Sequence, residues 1–230
     1  MGGLKKYLPI TYWTCLCGSL ALIAFPGTSG FFSKDALIEA VHAAEIAGSS
    51  YAYWCVLISV FVTALYTFRM VFMVYHGRER MDEKTRSNLR ESPWVITLPL
   101  ILLAIPSLLL GWVAFDPLLL DDYFGPAIFV LPQHDVLAGF AAEYSGPLQF
   151  FIHGLQSPPA WLAVAGVVTA WYIVLVRPDM AEAAANLWPR FTKFLLNKYG
   201  FDDFNQKVFA AGSRGLGQFL WKYGDVMVID

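Results

Sequence analysis

The sequence predicts an all-α membrane protein, a multi-spanning helical bundle with one discontinuous transmembrane helix and a C-terminal amphipathic segment. Three observations carry that prediction. Hydrophobic residues fill 57% of the 230 positions and charged residues only 15%, which lies outside the usual range of soluble domains. Charge-poor apolar runs recur at the length of roughly 20 residues that a spanning helix needs. A turn-forming stretch, "FPGTSGFF" at residues 25–32, interrupts helix-forming sequence directly ahead of a lysine. A soluble protein with a large apolar core is the competing class, but these runs exceed what a buried core helix needs.

The first apolar run extends from Leu8 to Phe25. Pro26 has no amide hydrogen, and Gly27 and Gly30 accept dihedrals closed to other residues, so a helix arriving at Phe25 stops and restarts near Phe31. The restarted stretch, "GFFSKDALIEAVHAAEIAG", is too charged to span alone. Residues 8–46 are therefore expected to form one broken crossing; a loop ahead of an interfacial helix is the alternative from local sequence. Further spans follow at 51–75, 93–115 and 159–176, closing a membrane domain over 1–176. Residues 177–230 alternate charged and aromatic residues at helical spacing, as in "WPRFTKFLLNKYGFDDFNQKVF", the pattern of an amphipathic segment on the cytoplasmic side of the membrane surface.

Basic residues fix the orientation. Lys5 and Lys6 precede the first span, Arg78, Arg80, Lys84, Arg86 and Arg90 follow the second, and seven lysines and arginines follow the fourth. Those regions should face the cytoplasm. The connection over 116–158 has no lysine or arginine, and the one between the first two spans has only Lys34. The alternation holds when the broken helix counts as one crossing.

An ionisable residue at membrane depth costs roughly 2.5–3.5 kcal/mol on insertion scales, so it calls for a function. On a helix over 31–46, Lys34 shares a face with Leu37, Ile38 and Val41, whereas Asp35, Glu39 and His42 form another stripe. An amine in low dielectric gives up its proton more readily than in water, which suits it to proton exchange. Helix breaks supply open backbone groups where a proton can be held. Snorkelling of Lys34 to the outer interface is the bland alternative.

Other features exclude chemistry. Cys15, Cys17 and Cys55 lie in apolar runs without metal-ligand spacing and read as small buried residues. His134 and His153 are isolated in the 116–158 connection, His76 and Arg69 sit at a span end, and Tyr7, Tyr12, Trp13, Trp94, Trp112 and Trp161 read as interface anchors. "GTSGFF" follows no strand and no phosphate loop is present, which argues against acyl or phosphoryl transfer. A net charge of -2 gives no support to nucleic-acid binding.

Four stretches carry a resemblance. "GGLKKYLPITYW", "GSLALIAFPGTSGFFSKD", "ALYTFRMVFMVYHG" and "KYGFDDFNQKVF" are similar, in the same order, to the later part of the L-subunit family of bacterial NADH:quinone oxidoreductase, respiratory complex I, whose mitochondrial equivalent is subunit 5. "GFFSKD" alone would fit the wider antiporter-like family. The resemblance implies a proton-translocating subunit of the bacterial inner membrane, coupled to electron transfer from NADH to quinone, with Lys34 as the proton-transferring lysine near the outward exit. Asp35 is then its adjacent carboxylate, and Pro26, Gly27 and Gly30 shape the break. The chain departs from the family at Gly27, where a second proline or a bulky apolar residue is common.

The resemblance also implies that flavin and iron-sulfur clusters belong to other subunits of the complex, with no cofactor and no metal in this chain. Its expected partners are the lipid bilayer and other membrane subunits, above all the neighbouring antiporter-like one. The family has further spans upstream and a lateral helix downstream, so the resemblance implies a fragment or split-gene product. A cation/proton antiporter subunit, or a structural membrane fragment inactive alone, are the competing functions.

Overall fold

The computed structural model describes residues 2–121 and 123–229, and the regular elements among them are helices. The chain divides into a unit ending at Arg177 and a unit beginning at Pro178. In the first unit α1 runs over Pro9–Leu22 and α2 over Ser29–Ala43. Helix α3, Ser49–Val71, runs on as a wide turn through His76, where the Gly77 amide donates to the Phe72 carbonyl at 2.7 Å. A short α4, Glu83–Asn88, precedes α5, Trp94–Phe115, which also runs on, through Leu120. Two short helices, α6 over Val136–Glu143 and α7 over Pro147–Gln156, lead into α8, Pro158–Trp171, extended to Val176.

Three of these helices are long and apolar enough to cross a membrane: Ser49–His76, Trp94–Leu120 and Pro158–Val176. They match three of the four expected runs, shifted by a few residues. The first expected run is shorter than its apolar sequence, because α1 stops at Leu22, ahead of Phe25. The connection over 116–158, for which spacing gave no element, holds α6 and α7.

Small residues bring α3 and α8 together. Ala64, Ala163 and Ala170 are almost completely buried. A Cβ on Gly166 would lie 2.6 Å from the Phe61 carbonyl oxygen, so the two backbones touch where only glycine fits, the usual basis of close helix packing in lipid. Around this seam Leu4, Tyr12, Ile23, Ile38, Phe68, Val71 and Tyr75 form one apolar cluster. A second cluster, Phe31, Phe32, Ala36, Phe115 and Phe150, sits where α2, α5 and α7 meet. Burial of Tyr12 corrects its expected role as an interface anchor, whereas Trp13, Trp94 and Trp161 stay exposed as anchors should. Cys55 is exposed and Cys15 and Cys17 half-buried, so the expectation of three buried thiols does not hold.

The second unit contains α9, Asp179–Leu187, α10, Pro189–Leu196, α11, Phe201–Phe204, and α12, Ala211–Leu220. Apolar and basic residues alternate around these helices. Trp188, Phe191, Phe194, Leu196, Phe201 and Phe209 are all exposed. Arg190, Lys193 and Lys207 lie among these exposed apolar residues, so the segment is amphipathic.

Candidate functional site

The interruption between α1 and α2 is a capped helix end rather than a slack loop. Ala24 takes a left-handed conformation, φ +57°. Its amide donates to the Ala21 carbonyl at 3.1 Å, and the Phe25 amide donates to the Leu20 carbonyl at 3.0 Å. This pair of bonds is the Schellman closure, which satisfies carbonyls that a helix leaves open at its end, here with alanine where glycine is usual. The Leu22 carbonyl takes its donor from elsewhere: Lys34 Nζ, on α2, donates to Leu22 O. The lysine thus reaches back across the break to the negative end of the α1 dipole, where a cation is favoured.

The roles of the break residues differ from one another. Gly27 has φ +89°, the left-handed region that glycine occupies at no steric cost. Gly30 lies inside α2 with ordinary helical dihedrals, which corrects the expectation that it supplies an unusual angle. Its need is space: a Cβ there would sit 1.8 Å from the Ala21 carbonyl oxygen. Pro26 lies in the turn between the helices, and Thr28, almost completely buried, donates its hydroxyl to the Phe25 carbonyl at 2.8 Å.

Two side-chain contacts clamp the restart onto α5. Ser29 Oγ donates to the Pro106 carbonyl at 2.6 Å and accepts from the Gly111 amide at 2.9 Å, entering the α5 ladder between them. Trp112 Nε1 donates to the Gly27 carbonyl at 2.8 Å, and its ring packs edge-on against Phe32. Trp112 is therefore part of the break's frame and not an interface anchor.

Lys34 and Asp35 point to different surroundings. Lys34 is half-buried, and Leu37 on its face is 53% exposed while Ile38 is buried. Asp35 is 4% exposed, and its Oδ2 has no hydrogen-bond partner. It lines an open cavity of 990 Å3 between α2, α3, α6 and α7, together with Glu39, His42, Tyr53, Gln149 and His153. The stripe of Asp35, Glu39 and His42 read from helical spacing thus faces one space. His153, expected to stand alone, has Nδ1 3.6 Å from Glu39 Oε1. Spacing along the chain gave no sign of that pair, because α7 returns to α2 only through the fold. Tyr144 at the cavity rim donates to the Asp116 carboxylate; burial, then that bond, raises its hydroxyl above the ordinary tyrosine range. Among the described residues no group of His, Cys, Asp and Glu could hold a metal ion.

At the other end of the same helices, Glu91 acts as a borrowed cap. Its carboxylate accepts from the Ile10 amide at 2.7 Å, the Thr11 amide at 3.3 Å and the Thr11 hydroxyl at 2.6 Å. These are first-turn groups of α1, which has no side-chain cap of its own. Burial acts to raise the Glu91 carboxyl, but the bonds from Thr11, Ile10 and Ser92 outweigh it and hold it below the ordinary range. Nearby, Lys6 donates to Glu79 at 2.9 Å; this bond lowers Glu79 and raises Lys6.

A family model described as NADH:quinone oxidoreductase/Mrp antiporter, TM, matches residues 1–67, a stretch that includes α1, the break and α2. The NADH-quinone oxidoreductase subunit L of Neisseria meningitidis is 42% identical over 100% of this chain and 37% of its own length. The NADH-ubiquinone oxidoreductase chain 5 of Triticum aestivum is 35% identical over 88% of this chain and 30% of its own. The subunit L of Rhodobacter capsulatus is 27% identical over 100% of this chain and 40% of its own. The chain therefore spans between 30% and 40% of the length of these relatives.

Proposed function

Because the chain belongs to the family of NADH-quinone oxidoreductase subunit L and its chain 5 counterparts, we propose that it forms the outward part of a proton path in such a complex. The observation that carries this reading is the bond from Lys34 to the open Leu22 carbonyl at the break. A protonated amine is a strong charge-assisted donor to that oxygen, whereas a neutral amine is a weak one. Proton loss from Lys34 and loosening of the α1 end are then one event. Outward release works against the membrane potential at about 2.3 kcal/mol per charge per 100 mV, so a neighbouring charge must help drive it.

In this reading α1 and α2 together make one crossing. Thr11 meets Glu91 just ahead of α5, while Ser29 and Phe32 meet Pro106, Trp112 and Phe115 toward its far end. Along α3 the order reverses: Tyr12 packs on Tyr75 and His76 at the end of that helix, and His42 on Tyr53 near its start. The two short helices accompany two long ones from one end to the other. With α3, α5 and α8 they give four crossings in the bacterial inner membrane, the basic residues 5–6, 78–90 and 177–222 on the cytoplasmic side. Flavin and iron-sulfur centres belong to other subunits, and the lateral partner is another antiporter-like subunit.

The test is Lys34→Ala in the assembled complex, with proton uptake by inverted membrane vesicles measured per NADH oxidised. Uptake should fall severalfold at equal complex content. An unchanged ratio contradicts the proposal. Failure of the chain to co-purify with flavin and iron-sulfur subunits, with sodium-dependent transport in their place, favours a cation/proton antiporter.

A further inference from the structure

We propose that the cavity beside α2 is a hydrated release chamber in which Glu39 and His153 carry the proton from Asp35 to the outer surface; this rests on the proton-path reading above. Three observations converge. Asp35 is 4% exposed, and its Oδ2 is without a partner, a state that costs free energy unless a mobile group supplies the bond. Gly154 keeps the space beside that oxygen open, since a Cβ there would lie 3.3 Å from Oδ2 and 2.2 Å from Phe31 Cζ. The cavity is open and 990 Å3 in volume, far beyond the roughly 10–15 Å3 that one water needs, and its polar lining supplies water with partners.

The titratable groups facing this space are Asp35, Glu39 and His42 from α2, Tyr53 from α3, Tyr144 from the α6–α7 turn and His153 from α7. Of these, Glu39 and His153 form an acid–base pair across two elements, 3.6 Å apart, with the His153 side chain 69% exposed at the mouth. His42 instead packs its ring against Tyr53 at 4.7 Å and closes the wall.

The steps balance without any redox partner. The O–H bond of protonated Asp35 breaks, leaving its carboxylate, and the proton joins a chamber water as hydronium. That hydronium protonates the neutral imidazole of His153, forming an N–H bond and restoring water. The imidazolium is held by the Glu39 carboxylate until an outer water takes the proton. The net change is one proton moved from Asp35 to the outside.

The experiment places Glu39→Gln, His153→Gln and the double variant in the assembled complex, with Lys34→Ala alongside. Proton uptake per NADH oxidised is measured in inverted vesicles at equal flavin content. Each single variant should lower the ratio severalfold, as Lys34→Ala does, because all three act on one path. The double should be no worse than either single, and Glu39→Asp should recover part of the loss, which a packing role would not produce. Full uptake in both single variants, with uptake in Lys34→Ala lowered severalfold, overturns the chamber and leaves the proton path standing. Full uptake in Lys34→Ala defeats the underlying reading whatever the others show. If Glu39→Gln fails to assemble, His153→Gln decides, because its side chain lies at the exposed mouth.

Discussion

The broken pair α1–α2 and the continuous helix α5 lie side by side, and proline content does not explain why one breaks and the other holds. Helix α5 contains Pro99 and Pro106 and stays helical from Trp94 to Phe115. Around the break there is a single proline, Pro26, in the turn after the cap. A proline inside a helix removes one ladder donor, a loss that neighbouring groups in a membrane bundle can make good. Ser29 braces the same stretch of α5 from outside, its hydroxyl joining the Pro106 carbonyl to the Gly111 amide. The break, in contrast, is set by a left-handed Ala24, a Schellman closure and a lysine that takes up the Leu22 carbonyl. Interruption of a helix thus depends on what receives its open carbonyls more than on which residue lacks an amide.

The difference can be broken first at Gly30. Adding a methyl group there puts it 1.8 Å from a backbone oxygen that no side-chain rotation can move. Gly30→Ala should cost about 3 kcal/mol, the upper range for overpacking, and part the two short helices while leaving α5 intact. Thermal unfolding of the assembled complex, with complex content in membranes, checks it; an unshifted midpoint shows that the close approach is absent. A smaller effect is expected from Trp112→Phe, which keeps a six-membered ring near Phe32 but removes the bond to Gly27 O and part of the ring packing on Phe151. The loss should be about 1–2 kcal/mol, a hydrogen bond of about 1 kcal/mol plus the reduced ring packing, read from the same transition.

The smallest effect concerns pH and belongs to the opposite end of α1. Glu91 is held below its ordinary range in the folded chain, so the cap it provides is complete above about pH 4.3, the unfolded value. The stabilisation is lost as pH falls through the lower folded value, because protonation then removes the acceptor that the first-turn donors use. Amide exchange at Ile10 and Thr11, corrected for the intrinsic pH dependence, should accelerate over that acidic window, and Glu91→Gln should remove most of the change. Equal acceleration in the variant would assign the effect to another carboxylate.

Much of this architecture is legible in the residues because its causes are local. Long apolar runs reveal three spans, "FPGTSG" reveals the interruption, and helical spacing puts Asp35, Glu39 and His42 on one stripe. What escapes such a reading depends on neighbours distant along the chain. Ala24 is left-handed because the closure demands it, though alanine has no preference for that conformation. Gly30 is needed for a contact with α1 that no dihedral signal announces. Helices α6 and α7 lie in a connection without basic residues and are short and separated by turns, so neither length nor charge marks them; α7 returns to α2 only in the folded chain. Its return brings His153 to Glu39 across 114 positions of sequence, a pairing that only the tertiary fold creates.

The contact between the Lys34 nitrogen and the Leu22 carbonyl at the end of α1 underlies the proton path. Dipolar recoupling between 15Nζ-lysine and 13C′-leucine in the assembled, lipid-embedded complex reads it directly. One leucine carbonyl should be dephased at hydrogen-bond range, with that signal lost in Lys34→Met. The same spectrum from both proteins would contradict it.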